Sequence, residues 1–104
     1  EVAAHGGSRL RIRALALRMS EELEATATEE LSHALGMRWR DLAPLIPWGD
    51  RFTGISVSGR EVEIERSYIW AEGDGGDILC EVVVFAGETR YDQGARVSSL
   101  IRKP

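Results

Sequence analysis

One thiol, Cys80, and two imidazoles, His5 and His33, are the soft and near-neutral titrating side chains that these 104 residues offer to chemistry. A thiolate nucleophile needs an imidazole within hydrogen-bond reach and a third group to orient it. A protein metal centre needs three or four convergent ligands. Cys80 lies in the apolar run ILCEVVVF, His33 on a helical stretch and His5 in the glycine-containing EVAAHGGS. Nothing in that spacing gathers the three, so no catalytic residue, metal site or cofactor is expected, and the chain reads as a non-enzyme.

Glu30 is the one carboxylate with a claim to acid–base work. At 100° per residue it projects among Met19, Leu23 and Ala27. A carboxylate buried there would have a raised pKa and could act as a general acid or base. The alternative is that this turn overhangs the sheet and Glu30 is wet. Glu72, Asp74 and Asp77 in EGDGGD have the composition of a calcium loop without its twelve-position ligand spacing, and read as a hairpin tip. The GDGG within it lies between strands, not ahead of a helix, so it is no phosphate loop.

Two charged stretches mirror each other. RLRIR places Arg9, Arg11 and Arg13 between apolar residues, and EVEIE does the same with Glu61, Glu63 and Glu65. With a net charge of −4 overall, the first twenty residues carry +3 and the remainder −7, so the chain as a whole is not a polyanion binder by charge alone. The expectation is that the two stretches match, within one chain or between two subunits by strand addition. Exposed pairs of this kind contribute only about 0–1 kcal/mol each. Their larger effect is on register, since like charges directly opposed are unfavourable. A nucleic-acid arm is the second reading.

The elements that position these residues follow from periodicity. Residues 1–8 read as a flexible lead-in, and 9–104 as a single domain. Residues 9–13 alternate and read as a short strand. Leu15, Met19, Leu23, Ala27, Leu31 and Leu35 recur every four residues, predicting an amphipathic helix over roughly 14–35 that ends at Gly36. Ser20 offers a later start as an N-cap. The connector GMRWRDLAPLIPWGDR, 36–51, is interrupted by Pro44 and Pro47, with room for one turn over 38–42. It is rich in large apolar side chains, and Trp39, Leu45, Ile46 and Trp48 are its candidate interaction residues. Strands are expected over 52–57, 61–71, 78–85 and 91–102. The third, apolar on both faces, is expected in the interior of the sheet.

This order predicts an α+β fold: one long N-terminal helix packed on a four-stranded antiparallel meander, with 9–13 available as a fifth strand. It resembles cystatin-like folds in architecture only; no inhibitor motif stands at matching positions, so the resemblance implies no function.

The expected function is a non-catalytic interaction or assembly subunit that self-associates, through an edge strand, the 37–48 connector, or both. The alternatives are a ribbon–helix–helix DNA-binding module using Arg9, Arg11 and Arg13, and a small-ligand pocket between helix and sheet near Glu30, Tyr68 and Trp70. No segment is long and apolar enough to span a bilayer, and the first twenty residues lack the apolar core of a secretion signal. With a single cysteine that excludes an intrachain disulfide, this favours a cytoplasmic or intracellularly assembled protein. Starting at Glu1 rather than Met, the sequence leaves room for an upstream domain.

Overall fold

The computed structural model describes the backbone of residues 2–86 and 94–104, with side chains from Arg18 onward in those ranges. A helix, α1, spans Val2–Ala34. A short helix, α2 (Trp39–Leu42), and a 3-10 turn over Ala43–Leu45 follow. Four antiparallel strands complete the chain: β1 (Trp48–Ile55), β2 (Glu61–Trp70), β3 (Ile78–Phe85) and β4 (Gly94–Ile101), in the spatial order β1-β2-β3-β4.

The buried stripe of α1 is Leu23, Ala27, Leu31 and Ala34, spaced as one helical face requires. Ala27 is fully buried, and α1 packs over β3 and β4. Facing it are Ile78, Cys80, Val82 and Val84 of β3, all 0% exposed, and Val62, Ile64 and Tyr68 of β2. Burying each Val or Ile stabilises by about 1.5–3 kcal/mol before conformational entropy is subtracted. The second face of β3 is also closed in its later half, where Val83 and Phe85 are buried. That is why the run is apolar on both sides.

The helix is held at both ends of its packed segment. Near its middle, the Thr26 hydroxyl donates to the Glu22 carbonyl (2.9 Å) and accepts from the Val57 amide (3.1 Å). Glu22 accepts hydrogen bonds from the hydroxyls of Ser56 and Ser58, with Arg60 at 3.8 Å. These contacts dock the β1–β2 turn, where Gly59 takes a φ of +89° that a side chain would strain. At the far end the Tyr68 hydroxyl donates to the Ala34 carbonyl (3.0 Å). Within β1, Gly54 is a close-approach site: a Cβ there would lie 2.6 Å from Ile64 Cδ1.

Two expectations are corrected. Residues 9–13 form no strand; their backbone is helical, and the described sheet has four strands. The ribbon–helix–helix alternative placed its strand on these residues. The reason is local: Arg, Leu and Ala are strong helix formers, and once 14–34 is helical each residue added upstream gains a backbone hydrogen bond without a new nucleus. The side chains of Arg9, Arg11 and Arg13, and of the lead-in, lie outside the described residues, as does the expected start of the last strand at 91–93. The first strand also begins earlier than expected, at Trp48, because Trp48, Asp50 and Phe52 alternate in step with Tyr68, Arg66 and Ile64. The connector thus ends at Pro47.

Candidate functional site

The register sorts the sheet into two chemically distinct faces. On the outer face, Arg51 stands opposite Glu65, Thr53 opposite Glu63 and Ile55 opposite Glu61. Arg51 lies 3.8 Å from Glu63 and 4.0 Å from Glu65, and its guanidinium stacks 4.9 Å from the Phe85 ring centroid. Thr53 donates to Glu63 at 3.2 Å. On the neighbouring pair, Arg96 of β4 reaches Glu81 of β3 at 3.8 Å. Among the described residues, Arg51 of the adjacent strand pairs with Glu63 and Glu65. The sequence reading missed it because Arg51 was assigned to the connector, where strand register does not apply.

The helix-facing side holds a partly buried ion network. Arg66 Nε donates to Asp50 Oδ1 at 2.9 Å, and a second guanidinium nitrogen bonds Asp50 Oδ2. The third nitrogen reaches Glu30 at 3.3 Å. The same guanidinium lies 4.8 Å from the Phe52 ring centroid and 5.5 Å from that of Trp48. The hydrogen bond to Asp50 is the largest influence holding the Arg66 pKa above its usual value, against the opposing effect of burial. Glu30 is thus neither wet nor alone among apolar groups: it ties α1 to β2. A bidentate guanidinium shared by two carboxylates is a structural clamp.

Between this network and the connector lies a cleft of about 290 Å³ lined by residues that include His33, Met37, Leu45, Trp48, Arg66 and Tyr68. Met37 is 45% and Leu45 53% exposed. Trp48 and Tyr68 line it with ring centroids 5.4 Å apart and ring planes tilted by 43°. Burial pushes the Tyr68 phenol up, and its proton is engaged by the Ala34 carbonyl. The cleft sits at the small end of ligand pockets. It suits one apolar side chain better than a cofactor.

The four connector residues divide. Leu45 and Trp48 meet at the cleft, while Ile46 packs against the core beside it. Trp39 turns to the other side, where its indole donates to the Gly76 carbonyl (2.8 Å) and its ring lies 6.1 Å from Trp70. Trp39 is a tie between α2 and the β2–β3 loop. Met37 was overlooked; its signal was a large apolar residue just after the helix-ending Gly36. In EGDGGD, Asp77 accepts from the Lys103 amide (2.9 Å) and pairs with Arg102 (3.3 Å), anchoring the chain end.

The groups singled out for chemistry lie in different settings. Cys80 is 0% exposed, and desolvation pushes its thiol up to about 11. His33 is on the exposed side of α1. Among the described residues no group of three His, Cys, Asp or Glu is placed to hold a metal, and no helix is long and apolar enough to cross a membrane. No family model, curated protein or solved structure matches this chain.

Proposed function

We propose that this chain is a non-catalytic assembly subunit that self-associates and uses its connector cleft to seat an apolar side chain. The carrying observation is that Met37 and Leu45, half exposed, line one cleft with the tilted aromatic pair Trp48 and Tyr68. Aromatic-lined pockets of this kind concentrate binding energy in a few contacts. The polar groups around the cleft, Arg66, Asp50 and Glu30, are bound to one another, which supports a binding role over a reactive one.

The test is sedimentation of the full chain across micromolar concentrations, beside Met37→Glu and Leu45→Glu. The wild type should associate, and each variant should weaken association while keeping the circular dichroism of the fold. A wild type that stays monomeric throughout overturns the reading.

A further inference from the structure

The sheet has two edges, and they are finished differently. β1 carries two charged residues, Asp50 and Arg51, both bound to β2, and it follows Pro47. β4, GARVSSLI, is eight residues long with no proline and a single charge, Arg96, which lies 3.8 Å from Glu81. Natural edge strands are normally blunted by charges, prolines, bulges or brevity, because a free row of amides and carbonyls invites another strand. β4 has almost none of these. Its helix-facing residues Ala95, Val97 and Ile101 border the core yet stay only partly buried. On the outer face Leu100 continues a row with Leu79 and Ile69, and Leu100 is 39% exposed.

β4 is also complementary to itself. In an antiparallel pair, directly opposed residues share a face, so a two-fold axis must pass through a residue of β4. An axis at Ser99 would oppose Arg96 to Arg102 of the second copy, a like-charge clash. An axis at Val97 would oppose Leu100 to Gly94, leaving the Leu100 side chain with no side chain across from it. An axis at Ser98 opposes Ser98 to itself, Arg96 to Leu100, Val97 to Ser99 and Ala95 to Ile101, with no like charges facing. The aliphatic stem of Arg96 can then lie along Leu100.

We infer that two copies of this chain join β4 to β4 about a two-fold axis through Ser98, merging the two four-stranded sheets into one continuous sheet. Such a contact is isologous and closes at two copies. It specifies the interface for the self-association proposed above and rests on that reading.

The experiment uses the full chain with Ser98→Cys, and Thr53→Cys on β1 as its counterpart. The native thiol gives little background, because Cys80 is fully buried with its pKa pushed up to about 11. Under mild oxidation Ser98→Cys should form a disulfide-linked dimer about tenfold faster than Thr53→Cys, since the axis brings the two sulfurs within bonding geometry. Equal rates, or faster linking through Thr53→Cys, overturn the inference. A second variant, Ser98→Lys, sets two ammonium groups at the axis on an exposed position; sedimentation should show association weakened about tenfold by that like-charge opposition. Unchanged association overturns it again. A wild type that is monomeric defeats self-association itself, whereas a dimer indifferent to Ser98 defeats only this interface.

Discussion

β1 and β4 have the same length and lie at opposite edges of one sheet, and among the described residues neither pairs with a further strand, yet their side chains are held differently. β1 is bound through side chains: Asp50 to Arg66, Arg51 to Glu63 and Glu65, Trp48 to Tyr68, with the connector folded beside it. Among the described residues β4 receives an ion pair through Arg96, and α1 covers one of its faces. The difference teaches where a small α+β domain places its spare binding capacity. α1 covers the β3–β4 side of the sheet and the connector leads into the β1 side, so different elements hold the two edges.

The strongest way to break this comparison is to remove the central cation of each side. Arg66→Leu leaves Asp50 and Glu30 without their shared partner. Because the Arg66 side chain is 27% exposed, the loss should fall somewhat below that of a fully buried pair, about 2–3 kcal/mol in urea denaturation. Arg96→Leu, on the exposed pair at β4, should cost less than about 1 kcal/mol. Equal losses would mean that the two edges are not finished differently.

A smaller effect sharpens the picture at the connector. Trp39→Phe keeps an aromatic ring beside Trp70 but deletes the donor to Gly76. It should destabilise by about 1–1.5 kcal/mol, read as a lowered melting temperature. An unchanged melting temperature would show that Trp39 is not a tie and would return it to the interaction surface.

Two pH effects are smaller still and opposite in sign. Hydrogen bonds from Ser56, then Ser58, hold Glu22 below the usual carboxylate value. Its contribution is complete above that usual value and is lost as pH falls through the lowered one. Glu22→Gln should therefore flatten the acid limb of the stability profile. Cys80, on β3 between Tyr68 and Ser99, has its thiol pushed up to about 11 by burial. Its contribution is complete below the unfolded thiol value of about 8.5 and is lost as pH rises through the folded one. Cys80→Ala should flatten part of the alkaline limb, with the raised Tyr68 supplying the rest. Wild-type Cys80 should resist thiol reagents until the protein unfolds.

Much of the fold was legible in single residues. The four-residue spacing of Leu23, Ala27 and Leu31 marked the buried stripe, and the two-sided apolar run Ile78–Phe85 marked an interior strand. What misled was pattern without context. Arg9–Arg13 alternates as a strand does, but strong helix formers adjoining an established helix extend it instead. Thr26, a weak helix former, sits mid-helix because its hydroxyl bonds both the Glu22 carbonyl and the Val57 amide; neither contact can be seen before the turn is placed. Arg51 and Asp50 were hidden by a strand boundary drawn four residues late. The cleft was legible only in part, because Leu45 and Trp48 stood out by type while Arg66 and Tyr68 join them through tertiary packing.

The most direct measurement is sedimentation equilibrium of the wild-type chain across micromolar concentrations. An open β4 edge predicts a species of twice the 11.5 kDa chain mass, growing with concentration and stopping there. A mass that stays at one chain throughout would contradict the account.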